Sequence, residues 1–448
     1  MSNFSRLSVA VVTAAIFCLG ASVLEAEPAG TQVTEIEQYG ITWKLARPTE
    51  AGRFVTGDWW VVGPVEVLSV SPAPTEERNG SVVNPEGGSK HGYDARLRGY
   101  DAALRSQYPL TLKPGDALVS VASVDKIGDK TDEAVQMNYR RGPMRTAVVL
   151  TCVAAAQPAD AFRPAYVGTW RESFRASQLQ RDLLPRLKAP GELPDVKGMA
   201  RELQRIWLDH QRGWINREMH PMENMADYGR DITHTVSNIG LALLLDLPED
   251  DLETLLVRFV QKGIDNYGTT RSNDDLWIAD GGHNSGRKWP IVFAGVMLGH
   301  EGMMSVKATF QEDRQTYFGK GFKGQRALWT LRDREETGMN NRHEEVDPAT
   351  WETYGDGSNN GSKAEGYRHL NGPTWMGQAL AARIMGAAGE DCWNYAPFFE
   401  YVDRWAEEQG DKAARPFVMQ MWQTYRKDAD ALGEVARKKR LAAAAKAQ

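Results

Sequence analysis

Residues 231 to 245, Asp-Ile-Thr-His-Thr-Val-Ser-Asn-Ile-Gly-Leu-Ala-Leu-Leu-Leu, read as a helix of small and apolar residues reached through a polar loop. The same grammar returns in Trp289-Pro-Ile-Val-Phe-Ala-Gly-Val-Met-Leu298 and in Gly372-Pro-Thr-Trp-Met-Gly-Gln-Ala-Leu-Ala-Ala-Arg-Ile-Met385. Each stretch leaves through a Gly or acidic turn: Asp246-Leu-Pro-Glu-Asp250, Gly299-His-Glu-Gly302 and Gly386-Ala-Ala-Gly-Glu390. Helices that are apolar nearly all round belong in a core. A ring of helical hairpins with buried inner helices, an α/α-toroid or incomplete helical barrel, accounts for such a repeat, with a non-toroidal helical array as the alternative. Every inner helix then starts at the same end, and the polar loops leading into them converge.

Outward from these stretches, apolar spacings of three and four continue through 196–214, 252–267, 396–408 and 416–426. Upstream the pattern changes. Phe54 to Val70 alternates β-branched and aromatic residues with Gly and Pro, and 117–123 and 146–153 are further short apolar runs. Trp59 and Trp60 fit either a sugar-stacking platform or, as alternating strand aromatics usually do, a core. The expected fold class is α+β, mainly α. An N-terminal antiparallel β domain (38–160) is followed by a proline-punctuated connection (161–195), an α/α-toroid (196–430) and a charged Lys/Arg/Ala tail (431–448).

The first residues, Met-Ser-Asn-Phe-Ser-Arg6, precede an apolar run from Leu7 to Leu24 and then Glu25-Ala-Glu27, the pattern of a signal peptide over 1–26. A lipoprotein site at Cys18 fits less well, because Ala-Ile-Phe precedes it where small residues belong. No later segment is apolar for long enough to span a bilayer. The expectation is a periplasmic or extracellular protein that leaves the membrane once the leader is removed. Cys152 and Cys392 then allow one disulfide but no cysteine-based metal cluster. A formal charge of -6 argues against general nucleic-acid binding, so an anionic ligand must meet a local cationic patch. No signal for an oligomeric state is evident.

The richest chemistry lies in Ala279-Asp-Gly-Gly-His-Asn-Ser-Gly-Arg-Lys-Trp-Pro-Ile291. His283 exchanges protons near neutral pH, and Arg287 offers a planar fork for carboxylate, phosphate or sulfate. The plain alternative is a loop whose His283 and Arg287 satisfy nearby carbonyls. Converging loops would join Asp231, His234 and Asn238 to His283, Asn284, Arg287 and Lys288, and these to Tyr367, Arg368 and His369. His234 and Asn238, four apart, form a polar stripe that fits a site or a structural hydrogen-bond network. Phe310 to Arg326 adds Glu312, Asp313 and Tyr317, and Tyr354 sits in a Gly- and Asn-rich loop with the character of a lid.

Aromatic, cationic, glycine-rich loops suit an anionic polysaccharide. In β-elimination, Asn, His or Arg neutralises a uronate carboxylate, and a Tyr or His removes the neighbouring proton. Hydrolysis needs two opposed carboxylates instead, which Asp227, Asp231, Asp280, Glu312 or Asp313 supply less specifically. A non-catalytic glycan-binding protein is the third reading. No cofactor is expected. Metal ligation lacks a His-x-x-x-His or Glu-x-x-His signature, and only the Asp/Asn-rich loop 356–360 offers calcium-type oxygens.

The motifs Gly281-Gly-His-Asn-Ser-Gly-Arg-Lys-Trp-Pro290, Glu312-Asp-Arg-Gln-Thr-Tyr317 and Gly366-Tyr-Arg-His369, with 379–386 and 398–405, resemble those of toroidal alginate or glucuronan lyase-like proteins over about residues 195–426. The resemblance implies syn- or anti-elimination, with a Tyr as acid or base, His as its partner, and Arg or Asn at the carboxylate. It supports catalytic roles for His283 and Arg287 first, then His234 and Tyr317, with Asn238, Asn284, Lys288, Tyr354, Tyr367 and Arg368 around the substrate. Tyr267, Tyr317, Tyr354 and Tyr367 all remain open as the acid or base. The β domain precedes the helical part here, whereas many toroidal lyases carry theirs behind it.

Overall fold

The computed structural model describes residues 30–129, 142–332, 342–356 and 359–447; the leader-like stretch 1–26 lies outside them. The chain opens with a hairpin, β1 (Thr31–Gln38) and β2 (Ile41–Arg53), joined by Tyr39 and Gly40. Both turn residues have positive φ, 51° and 78°. That geometry matches the right-handed twist of the flanking strands. β3 (Trp59–Val62), β4 (Val65–Ser71), β5 (Ser81–Val83), β6 (Leu110–Leu112), β7 (Ala117–Ser123) and β8 (Met144–Val153) complete an eight-stranded sheet. Its hydrogen-bonded order is β5-β7-β8-β3-β2-β4-β6, with β1 against β2.

The sheet is mixed, not antiparallel: β3 and β8 run parallel, Trp59 opposite Leu150 through Val62 opposite Val153. Hydrophobic alternation reports which face is buried and is silent on strand direction. β7 and β8 are apolar on both faces because both are covered. Leu118, Val148 and Leu150 join one cluster with Trp43 and Val67, while Val119, Val121 and Val149 pack with Tyr166, Ile206 and Leu208 of the following connection. Trp60 belongs to the core at 1% exposure, whereas Trp59 is partly exposed beneath Arg53.

The helical half contains α1 (Val196–Glu202), α2 (Trp214–Glu218), α3 (Gly229–Ala242), α4 (Glu249–Ser272), α5 (Lys288–Leu298), α6 (Glu301–Met304), α7 (Gln311–Gln315), α8 (Gly361–Ile384), α9 (Ala396–Gln409), α10 (Pro416–Tyr425) and α11 (Ala429–Ala447). Helix makes up 39% and strand 19%, a mixed α/β composition in place of the mainly α one expected. The three small-residue helices α3, α5 and α8 are buried and meet closely, as Ser237 Oγ donating to Thr374 O at 2.6 Å shows. They do not repeat as hairpins around a ring. α5 is followed by the four-residue α6, and α7 with a small ladder of β9 (Thr316–Phe318) and β10 (Ala327–Trp329) lies between α5 and α8. The recurring polar entry, small apolar helix and Gly or acidic exit encodes buried, closely approaching helices, and does not by itself encode a ring of hairpins.

Two clusters of buried ions tie the chain together, and the first of them joins the halves. Arg163, in the extended connection, pairs with Asp58 of the sheet half at 2.9 Å and with Asp265 of α4 at 2.6 Å. Asp209 accepts from Lys262 of α4 at 2.9 Å and from Arg287 at 3.4 Å. Cys152 and Cys392 are free and buried, so the disulfide allowed by the sequence does not form. Among the described residues no helix is long and apolar enough to cross a membrane.

Candidate functional site

The loop before α5 is embedded. Gly281 O accepts from the side chains of Gln311 (3.0 Å), Gln315 (2.8 Å) and Asn371 (2.7 Å). Asn284 takes Gln311 Oε1 on its backbone N–H at 2.9 Å and donates from Nδ2 to Ile278 O at 2.8 Å. Gly286 N–H donates to Glu312 Oε1 at 2.6 Å, and Trp375 Nε1 to Ser285 Oγ at 2.7 Å. Gly281 has φ +59°, and a Cβ there would stand 2.8 Å from the Tyr367 ring, so glycine serves both the backbone conformation and the ring's approach.

This embedding corrects three sequence assignments. Arg287 is 1% exposed and donates inward, to Ser285 O at 2.7 Å, His283 O at 3.2 Å and Asp209 Oδ2 at 3.4 Å. Lys288 is 3% exposed; its ammonium meets Asp313 at 2.5 Å and Trp393 O at 2.9 Å and lies over the Phe310 and Trp393 rings. Asn284 is fully buried; its Nδ2 is spent on Ile278 O, while its Oδ1 meets no hydrogen-bond partner among the described residues. Desolvation lowers the pKa of Arg287, with Asp209 and Glu312 opposing, and a guanidinium so engaged is not offered to a ligand.

His283 alone carries the loop's chemistry toward the rim. Its ring stands edge-on to Trp214 (centroids 4.4 Å apart) and to Tyr228 (5.0 Å). The Arg217 guanidinium lies 5.1 Å over the Trp214 ring and 4.8 Å over that of Tyr228. Trp214 is 45% exposed, while Tyr228 and His283 are each 8% exposed. Arg217 reaches Asp227 at 3.4 Å, the long end of hydrogen bonding; Arg230 pairs with Asp231 at 2.7 Å and Arg332 with Asp280 at 3.1 Å. Burial lowers the His283 pKa to about 4; Asp280 opposes this and Arg217, Arg287 and Arg332 add to it. The imidazole is therefore neutral at pH 7, and its Nδ1 meets no hydrogen-bond partner among the described residues. Burial raises the Tyr228 phenol well above its ordinary range, the neighbouring Tyr367 adds to this, and a hydrogen bond with the Gly282 backbone works the other way.

The remaining expected residues do not converge here. His234, 8% exposed on α3, has Arg415, Asp231 and Arg230 as its charged neighbours; desolvation first and then Arg415 bring its pKa to about 4. Asn238 is half-buried one turn on, and no hydrogen bond or ring contact joins His234 to His283. Tyr317 is 2% exposed in β9, with Arg342 5.5 Å over its ring and Glu345 beside its hydroxyl; burial, then Glu345, raises its pKa. Tyr354 shares those charged neighbours. Arg368 is held by Glu365 at 2.8 Å and Glu408 at 3.0 Å, and with His369 lines a separate cleft of about 420 Å³. Tyr267 packs against Trp170 and His300. Of the four tyrosines left open, only Tyr367 touches the glycine loop.

Sequence reasoning missed Trp214, Arg217, Tyr228 and Arg230. A signal existed in Gly213-Trp-Ile-Asn-Arg217, where a tryptophan and an arginine stand three apart just after a glycine, the spacing that lets the guanidinium lie over the ring on one helix face. Among the described residues no group of three or more His, Cys, Asp or Glu is placed to hold a metal; the calcium-type loop 356–360 lies partly outside them. The chain matches no family model, no curated protein and no solved structure.

Proposed function

We propose that this protein is a polysaccharide lyase that cleaves a uronate-containing polymer by β-elimination at the His283–Tyr228–Trp214 cluster. The supporting observation is the arrangement of one guanidinium, Arg217, over the same two aromatic rings that bracket a neutral imidazole. Trp214 presents a stacking face for a sugar ring. Arg217, whose carboxylate contacts are long, neutralises the uronate carboxylate and acidifies the proton on the adjacent carbon. Neutral His283 takes that proton, the bond to the leaving glycosidic oxygen breaks as the ring double bond forms, and the protonated Tyr228 phenol supplies a proton to the leaving oxygen. Arg230 holds Asp231 and Arg332 holds Asp280, so hydrolysis finds no pair of uncommitted opposed carboxyls among the described residues of the cluster. The leader-like sequence over 1–26 supports a periplasmic or extracellular setting for this activity.

The test is absorbance of the unsaturated uronate product, with protein lacking residues 1–26 offered alginate, glucuronan, pectate and glycosaminoglycans. His283→Gln and Tyr228→Phe are expected to abolish the rise at unchanged melting temperature, and Trp214→Ala to raise KM more than tenfold. Absence of absorbance on every polymer overturns elimination; new reducing ends without absorbance replace it with hydrolysis.

A further inference from the structure

Arg230 and His234 stand four apart, so they share one face of α3. Arg230 lies 5.6 Å over the Tyr228 ring and so ties that face to the elimination cluster. It gives Nε and Nη2 to Asp231 at 3.0 and 2.7 Å and keeps Nη1 uncommitted among the described residues, on a side chain 38% exposed. Thr235, next along the helix, turns to Glu202 of α1 at 2.9 Å. His234 is 8% exposed, and neither of its ring nitrogens meets a hydrogen-bond partner among the described residues. Buried polar groups are nearly always hydrogen-bonded, so an unpartnered imidazole that still reaches the surface calls for a partner from outside the fold.

The foremost charge acting on His234 is that of Arg415, ahead of Asp231 and Arg230. Arg415 is the N-cap residue of α10, which packs on α3. No side chain caps that helix, its first residue is Pro416, and no acidic residue stands in its first turn. Its positive end is therefore left without the carboxylate or hydroxyl that helix starts usually carry. Arg415 itself is exposed and makes no ion pair or side-chain hydrogen bond among the described residues.

The balance of charge selects an anion. Two guanidinium groups and a helix N-terminus face one carboxylate, Asp231, which Arg230 already holds with both oxygens engaged. The local field around His234 is thus positive although the chain as a whole carries -6. The neutral imidazole adds one N–H, whichever nitrogen bears it. A cation would meet Arg415 and Arg230 unscreened, and a neutral group would leave Arg415 uncompensated, whereas an oxyanion accepts from the guanidinium groups and the imidazole together. From Tyr228 to His234 is six residues along α3, a rise of about 9 Å at 1.5 Å per residue. A short oligosaccharide bridges that separation.

We infer that Arg230, His234, Arg415 and the start of α10 bind a second carboxylate of the same polyuronate chain whose first carboxylate meets Arg217. The choice of a polymer carboxylate over a free phosphate or sulfate rests on the elimination reading. Calorimetry tests it, with protein lacking residues 1–26 and carrying His283→Gln so that no chain is cleaved, against hexasaccharides of alginate, glucuronan and pectate and against inorganic phosphate and sulfate. At least one hexasaccharide is expected to bind saturably. Arg415→Gln should weaken that binding at least fivefold and make it less sensitive to salt. His234→Phe should weaken it several-fold while melting at the same or a higher temperature, because it removes unsatisfied buried nitrogens. Lys113→Gln, which takes an equal charge from the exposed turn between β6 and β7, should leave it unchanged. The inference is overturned if no hexasaccharide binds, if Arg415→Gln binds as the parent does, if Lys113→Gln costs as much as Arg415→Gln, or if phosphate or sulfate binds at Arg415 and the hexasaccharides do not. The absorbance assay keeps the two readings apart: Arg415-dependent binding without unsaturated product removes elimination and upholds the second site, whereas elimination with KM unmoved by Arg415→Gln removes the second site alone.

Discussion

Arg287→Ala separates a structural guanidinium from a substrate-binding one. The side chain is 1% exposed and gives Nη1 to two buried carbonyls, of Ser285 and His283, and Nε to Asp209. Removal strands two carbonyl acceptors and opens a void, while Asp209 keeps Lys262 at 2.9 Å and is not orphaned. Unsatisfied buried acceptors cost about 1–3 kcal/mol each, which puts the loss at about 3–5 kcal/mol with partial relaxation. Asp209→Asn should cost at least as much, because it leaves Lys262 and Arg287 as buried cations without a carboxylate, a change worth about 3–5 kcal/mol where it has been measured. Arg287→Lys should fall between wild type and Arg287→Ala, since a single ammonium cannot reach both carbonyls and Asp209. Urea unfolding at pH 7, with the slope against denaturant unchanged, reads all three. A loss below about 1 kcal/mol for Arg287→Ala, together with abolished turnover, refutes this reasoning and returns Arg287 to the substrate.

Acid should destabilise the fold before its carboxylates titrate. Burial lowers the pKa of His283 and His234 to about 4 and that of His210 to about 3, from an ordinary 6.5. The unfolded chain binds those protons below pH 6.5 and the folded chain does not, so the contribution is complete above 6.5 and is lost as pH falls toward 4, by up to about 3 kcal/mol for His283 alone. Urea midpoints flat between pH 7 and 5 contradict this; His283→Gln should shallow the slope. Glu312 acts with the opposite sign. Burial raises its pKa against hydrogen bonds from Gly286 N–H and Gln378, so its stabilisation is full below about pH 4.5 and declines as pH rises. Glu312→Gln keeps an oxygen for both donors and should equal or exceed wild-type stability at pH 8, whereas Glu312→Ala should cost about 2–3 kcal/mol by stranding the Gly286 N–H; equal losses for the two exclude a neutral carboxyl.

What was legible in the sequence depended on how far the deciding partner lay along the chain. The helical stretches 252–267, 289–298, 396–408 and 416–426 coincide with α4, α5, α9 and α10 to within a few residues, because their apolar spacing is local information, whereas 196–214 is helical only over α1 and at Trp214. The β half was recognisable for the same reason, and β1 extends it upstream to Thr31. Strand direction was not, since β3 meets β8 across the length of the intervening sequence. The loop 279–291 reads from sequence as polar and glycine-rich, and nothing local says that its charge points inward. Arg287 turns inward because Asp209, 78 residues earlier, is placed beside it. Trp214 and Tyr228 were missed because neither carries a motif; they acquire meaning only when His283 arrives between them.

The depth at which the loop is held bears on what His283 can do. Gln311, Gln315, Asn371, Glu312 and Trp375 fix its backbone from α7 and α8, and Arg287 fixes it from below through the carbonyls of His283 and Ser285. Together they leave the imidazole little freedom to adjust. A base held in this way gains from orientation, since misplacement by a fraction of an ångström weakens proton transfer. It also gains from burial, which keeps the ring unprotonated and ready to accept at pH 7. The same burial would make the imidazolium formed during turnover costly, and the nearby Arg217 and Arg332 would add to that cost. Asp280, paired with Arg332 at 3.1 Å, favours the charged form of His283. The proton taken by His283 must therefore leave quickly or pass toward the Asp280 side. On this arrangement a weak, well-placed base paired with a phenol acid suits a substrate whose proton has already been made acidic by a cation, which is the demand a uronate places on the site.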